Sequence, residues 1–213
     1  MSEETKLVVW GVGTTRTMRV YWMLHELGLP YETRRIGPRT GETQSAEFQR
    51  INPKQKIPVL IDGDLVITES TAIMRHLRRR CDKLPYDDYQ LSIEGKADYD
   101  EWMSFISMEL DATSLYVVRR HKDLAKIYGE AENAVTSSIA YFERMLDSVV
   151  SLIVGRPFLW GSTFSELDIH MAIMLDWAGF IGIPIPESLG DYHRGITSRP
   201  AYEAARKINY SDL

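Results

Sequence analysis

The chain has 213 residues, 44% hydrophobic and 26% charged, enough for one large or two small domains with buried cores. Its net charge of -5 argues against nucleic acid, whose phosphates need a basic surface, and its single cysteine, Cys81, excludes an intrachain disulfide, a CxxC pair and a cysteine zinc cluster. The acidic start Met1-Ser2-Glu3-Glu4 has no apolar signal core, and no apolar run approaches membrane-spanning length, so a cytoplasmic protein is expected.

Leu7-Val8-Val9-Trp10 is a short apolar run stopped by Gly11 and Gly13, the pattern of a buried strand. Residues 14–27 read as a helix, with Val20, Met23, Leu24 and Leu27 at helical spacing and Gly28 as the C-cap. A second strand follows over 31–36, then a short helix over 45–50 that must break before Asn52-Pro53. Strands over 59–61 and 65–67 flank Asp62-Gly63-Asp64, a hairpin signal. A helix over 70–80 carries Arg75, Arg78, Arg79 and Arg80, which read as a solvated C-terminal end whose cations complement the helix dipole. The order is β-α-β-α-β-β-α.

From Asp82 the texture changes. Residues 82–88 are polar, contain Pro85 and read as a linker. Beyond them β-branched alternation gives way to helical periods over 93–118, 124–154, 165–180 and 200–208, with Gly155-Arg156-Pro157 ending the second. The expected architecture is an α/β domain over 1–81 followed by an all-α domain over 89–213.

Ser165-Glu166-Leu167-Asp168 has the residues of a capping box. Ser165 can accept from the Asp168 N–H while the Asp168 carboxylate returns to the Ser165 N–H, and Phe164 and Ile169 are spaced for a hydrophobic staple. Its job is folding, and loss of either partner is expected to cost roughly 1 kcal/mol or more.

Two stretches offer backbone groups to a ligand. The Ile57-Pro58 step before a strand is a candidate cis peptide, leaving Ile57 to present an edge donor and acceptor to a peptide-like molecule. Glu69-Ser70 opens the next helix, whose free N–H groups and dipole favour a carboxylate. Together they fit a small peptide with an acidic end. Separately, an ordinary hairpin and a capped helix account for them equally well.

The run from Asn52-Pro53 through Ile57-Pro58-Val59-Leu60 to Glu69-Ser70-Thr71-Ala72-Ile73 resembles the glutathione-binding half of the soluble glutathione S-transferases. Met18-Arg19-Val20 and Glu26-Leu27-Gly28-Leu29-Pro30-Tyr31-Glu32 match that family's first helix and second strand, and Ser165 to Asp168 its buried core helix. The resemblance covers essentially the whole chain and points to a serine/threonine-type, bacterial-like or theta/zeta-like subclass. It implies a thioredoxin-like N-terminal domain, an all-α C-terminal domain, a homodimer, and glutathione as co-substrate with no metal.

The resemblance also implies the site residues. In the family, a Ser, Tyr or Cys meets the glutathione sulfur between the first strand and first helix, where this chain has Thr14 and Thr15. A hydroxyl there stabilises the thiolate and lowers its pKa, although threonine at a helix start is equally a cap. Ile57, ahead of Pro58, would pair with the cysteinyl backbone. Glu69 would take the γ-glutamyl ammonium and Ser70 its carboxylate, with Lys56 reaching the glycine carboxylate. Asp100 would add an acid across the dimer interface, or lie in solvent. The electrophile is expected between the domains beside Val12, Met103 and Ser107. No cysteine stands in the segment, so thiolate attack on an electrophile is expected rather than mixed-disulfide chemistry. The hindered threonine also fits a glutathione-binding regulatory protein with little turnover, and the same site would support a glutathione-dependent isomerase or dehalogenase.

Other motifs fail. Gly11-Val12-Gly13 lacks the third glycine of a dinucleotide loop, no G-x-S-x-G elbow occurs, and the five histidines form no H-E-x-x-H pair.

Overall fold

The structure, a computed structural model, describes residues 6–81, 92–160 and 162–211. The linker expected over 82–88 lies outside the described residues. The chain divides into two compact units, 1–85 with 198–213, and 86–197.

The first unit is built on a four-stranded sheet in the order β2-β1-β3-β4: β1 Leu7–Trp10, β2 Tyr31–Arg34, β3 Val59–Asp62 and β4 Leu65–Thr68. β1 runs parallel to β2 and antiparallel to β3, and β3 and β4 form the expected hairpin. With α1 Thr15–Leu27, α2 Ala46–Ile51 and α3 Ser70–Arg79, the thioredoxin-like order β-α-β-α-β-β-α is complete. β2 stops two residues short of the expected 36, where Ile36 pairs instead with the loop after β1.

α1 is the spine of this unit. Every residue from Thr17 to Leu24 is buried, because α3 packs on one side and the C-terminal helix on another. It ends at Gly28 in the left-handed conformation, φ 61°, with Gly28 N–H on the His25 carbonyl and Leu29 N–H on the Leu24 carbonyl. The arginine run at the end of α3 is less solvated than expected. Arg78 is buried, and Arg80 joins His76 on the Asp62 carboxylate, the His76 Nε2 to Oδ2 distance being 2.8 Å.

The second unit is helical. α4 Ile93–Phe105 continues into a ten-residue π-helix, Ile106–Leu115, and then α5 Tyr116–His121. A regular helix was expected across this whole stretch. The expected helix over 124–154 is two: α6 Ala125–Tyr128 and α7 Glu132–Ile153. Gly129, at φ 85°, turns the chain between them. α8 Glu166–Phe180 is the core helix, buried from Leu167 to Leu175 and packed against α4, the π-helix and α9 Gly190–Thr197, a helix the sequence reading missed.

Ser165 caps α8 as expected. Its N–H donates to Asp168 Oδ2 at 2.8 Å, and Phe164 and Ile169 are both buried. Asp168 does more than the box requires. Its Oδ1 also accepts from the Leu159 N–H at 2.7 Å and from the Tyr192 hydroxyl at 3.0 Å. Burial raises its carboxyl to about 6, against the opposing pull of these hydrogen bonds.

The last helix, α10 Pro200–Tyr210, was expected in the helical domain. It groups instead with the first unit, alongside α1. Arg199 clasps Glu26 with two hydrogen bonds of 2.6 and 2.7 Å, and Tyr202 meets the edge of Trp22 at 4.7 Å between ring centres. At the other end Arg35 donates to the carbonyls of Ile208 and Ser211.

Candidate functional site

The register of the sheet gathers the expected ligand residues. Trp10 pairs with Val59, and Val59 with Thr68. The loop after β1, the turn before β3 and the exit from β4 therefore share one end of the sheet, and Gly11, Pro58 and Glu69 become neighbours.

The turn before β3 is held by Asn52, which is 1% exposed. Its Nδ2 donates to the Lys56 carbonyl at 2.7 Å and its Oδ1 accepts from the Lys54 N–H at 3.1 Å. Asn52→Ala is expected to cost about 1–3 kcal/mol, the penalty of stranding buried polar groups, read from a denaturant midpoint. Asn52→Asp retains the acceptor and should recover part of the loss.

The Ile57–Pro58 bond is cis, as the sequence reading expects. Neither the N–H nor the carbonyl of Ile57 has a backbone partner among the described residues. Its side chain lies over Gly11, where a Cβ would come within 2.4 Å of Ile57 Cβ. Gly11 also has φ 107°, a conformation that L side chains rarely adopt.

Glu69 stands at the N-cap of α3 with φ 70° and makes no capping hydrogen bond. Its carboxylate turns outward to Lys54, whose Nζ lies 2.5 Å away and also reaches Thr68 Oγ1 at 2.7 Å. The first turn of α3 thus keeps its N–H groups clear of any side-chain cap. Ser70, the first helical residue, is buried, and its Oγ accepts from Arg19 at 3.2 Å. Lys56 is exposed in the same turn. The Lys54–Glu69 pair was missed by sequence reasoning, which singled out Lys56, because the side of the turn a lysine occupies depends on the positive φ of Gln55.

The loop after β1 extends the ladder with β2: Gly11 N–H donates to Arg34 and Val12 N–H to Ile36. Thr14 is the N-cap of α1, and its Oγ1 accepts from the Thr17 N–H at 2.9 Å. It also lies 3.0 Å from Thr17 Oγ1. Thr17 Oγ1 is 2.6 Å from Asn209 Oδ1 and 2.9 Å from the Thr14 carbonyl, atoms that only accept, so the Thr17 hydrogen goes to one of these. Thr14 is then the donor toward Thr17, and its hydrogen can be exchanged to an arriving acceptor. Thr15 begins the helix half-buried, its hydroxyl without a partner among the described residues.

Asn209 was not anticipated. It is fully buried on α10, with Nδ2 donating to the Thr14 carbonyl at 3.0 Å and Oδ1 accepting from the Gly13 N–H at 3.1 Å. Val12 is buried in the first unit. Asp100, Met103 and Ser107 belong to the second, Asp100 exposed and Met103 buried on α4, Ser107 half-buried in the π-helix. Among the described residues, no group of three His, Cys, Asp or Glu side chains is placed to hold a metal ion, and no helix is long and apolar enough to cross a membrane.

Residues 5–79 match the family model of the glutathione S-transferase N-terminal domain. Glutathione S-transferase theta-1 of Bos taurus is 29% identical over 155 residues, which are 70% of this chain and 63% of that protein. The chain thus matches less than two thirds of that relative's length. Among solved structures, a glutathione transferase family member from Pseudomonas fluorescens with two glutathione bound aligns with a TM-score of 0.81 at 22% identity, covering 96% of this chain and 94% of that one. A theta class glutathione S-transferase from Xanthomonas axonopodis pv. citri with glutathione bound gives 0.76 at 20% identity, covering 98% and 99%. These likenesses establish the fold. With the α3 geometry of the first unit, the match identifies residues 5–79 as a glutathione S-transferase N-terminal domain.

Proposed function

We propose that the chain is a glutathione transferase. The observation that carries this reading is the convergence, at one end of the sheet, of the unpaired Ile57 backbone, the uncapped start of α3 and the start of α1. Ile57 pairs with the cysteinyl backbone of glutathione, Glu69 receives its ammonium and Ser70 its γ-glutamyl carboxylate. Lys56 reaches the glycine carboxylate. For Glu69 to take the ammonium it must release Lys54, a cheap exchange because both side chains are solvent-exposed.

Thr14, with Thr15 as its alternate, donates to the sulfur. The thiol releases its proton to solvent, and the thiolate forms a bond to an electrophilic carbon. A leaving group departs with its electron pair, or the pair stays on the acceptor and is protonated. Val12, in the loop that carries Thr14, is proposed to contact that acceptor. A cytoplasmic homodimer, with the partner's copy of Asp100 near the ammonium, completes the proposal.

Thr14→Val removes both the sulfur donor and the cap. It should raise the pKa of the bound thiol by about one to two units and cost about 1 kcal/mol of stability, with glutathione affinity nearly unchanged. Ultraviolet titration of the bound thiolate measures the first effect. A shift confined to Thr15→Val would transfer the role to Thr15.

One observation favours a second reading. The Thr14 hydroxyl is already engaged in a capping box, as suits a glutathione-binding protein with little turnover. A panel of aryl halides, epoxides, isothiocyanates and peroxides separates the two. Tight glutathione binding with no turnover of any member would favour the second.

A further inference from the structure

The loop that carries Thr14 is held in two halves. Gly11 and Val12 belong to the sheet: their N–H groups extend the ladder with β2, and the Tyr21 hydroxyl donates to the Gly11 carbonyl at 2.9 Å. Gly13 and Thr14 are held instead by one residue of α10. The Gly13 N–H is shared between the Asn209 carbonyl at 2.9 Å and Asn209 Oδ1 at 3.1 Å. Asn209 Nδ2 donates to the Thr14 carbonyl at 3.0 Å. A carbonyl only accepts, so the amide has one workable orientation, with Oδ1 toward Gly13 and Thr17. Gly13 stands at φ 81°, and a glycine has no side chain with which to hold that conformation. Thr15 shares none of these bonds with Asn209.

We propose that Asn209 is a positioning residue for thiol activation by Thr14. It is fully buried and reaches the sulfur only through Thr14. It grips the Gly13–Thr14 backbone directly, and through Thr17 Oγ1, 2.6 Å from its Oδ1, it meets the partner of the Thr14 hydroxyl. Thr14 rather than Thr15 is thereby presented to the ligand, by a side chain 195 positions away. The proposal rests on the reading of Thr14 as the sulfur donor and gives the last helix a part in it.

The test is ultraviolet titration of the bound thiolate on the full chain, with glutathione affinity measured by calorimetry. Asn209→Ala is expected to raise the pKa of the bound thiol by about one unit, approaching the shift of Thr14→Val. Affinity should hold within about twofold. In the Thr14→Val background the same substitution should add nothing to the pKa, because the group it positions is gone. A merely structural role would lower the melting temperature and leave the titration midpoint of the folded protein where it was. That result overturns the proposal, as does a shift that persists undiminished without the Thr14 hydroxyl. If Asn209→Ala does not fold, Asn209→Ser carries the same comparison, its hydroxyl being too short to bridge Gly13 and Thr14, and the same shift is expected. A wild type that binds no glutathione, or a bound thiol unmoved by Thr14→Val, would overturn the underlying reading and the proposal with it.

Discussion

Asp168→Ala is expected to destabilise the protein by about 4 kcal/mol or more, enough to leave much of it unfolded at 37 °C. The carboxylate accepts from the N–H groups of Leu159 and Ser165 and from the hydroxyls of Tyr192 and Ser165, all of these bonds buried. Removing it strands several buried donors at once, each worth about 1–3 kcal/mol. A denaturant titration reads the loss, and a cost near 1 kcal/mol would reduce the residue to an ordinary cap.

The same site has a pH signature. The folded carboxyl keeps its proton up to about pH 6, whereas an unfolded aspartate releases it near 4. Between those values the folded state binds more protons. The stability this group contributes is therefore complete below about pH 4 and is lost as pH rises through 6. Asp168→Asn does not titrate, so the stability margin of the wild type over it should narrow by about 2 kcal/mol from pH 4 to 7. A margin that widens would mean that the four donors outweigh burial.

Gly11→Ala is expected to abolish useful glutathione binding while leaving a folded protein. The new methyl would overlap Ile57 Cβ at 2.4 Å, and φ 107° adds strain of about 1–3 kcal/mol. The side chain of Ile57 must retreat, taking with it the N–H and carbonyl proposed to pair with the cysteinyl backbone. A displacement of about 1 Å is enough to lower turnover about a hundredfold. Calorimetry with glutathione, beside a thermal melt, separates the two effects. Wild-type affinity in a destabilised variant would remove Ile57 from the binding site.

What the sequence made legible was mostly local. The capping box at Ser165 and Asp168, the left-handed Gly28 and the Asp62-Gly63-Asp64 hairpin each depend on residues a few positions apart. Glu69 and Ser70 were legible because a helix start lies beside a resembled motif. The π-helix over Ile106–Leu115 was not, since nothing in its side-chain spacing separates it from an α-helix. Gly129 was a readable break that the longer helical period obscured. Arg19 and Asn209 escaped for a different reason. A polar residue on a helix is assigned to solvent by default, and only its distant partners, Ser70 in one case and Thr14 and Thr17 in the other, show that it is buried.

The clamp that α10 places on α1 also bears on how the chain is made. Gly13 and Asn209 are separated by 196 positions, and the entire 86–197 unit is synthesised between them. As the chain leaves the ribosome, the sheet and α1 emerge early, with the α10 side of α1 still uncovered. Glu26 and Trp22 must wait for Arg199 and Tyr202, and the Thr14 loop for Asn209. Closure across so long an intervening sequence is entropically costly and slow. The nascent first unit therefore passes through a stage with exposed apolar surface, during which it is vulnerable to aggregation and suited to chaperone capture. The Thr14 loop is complete only after residue 209 has been added.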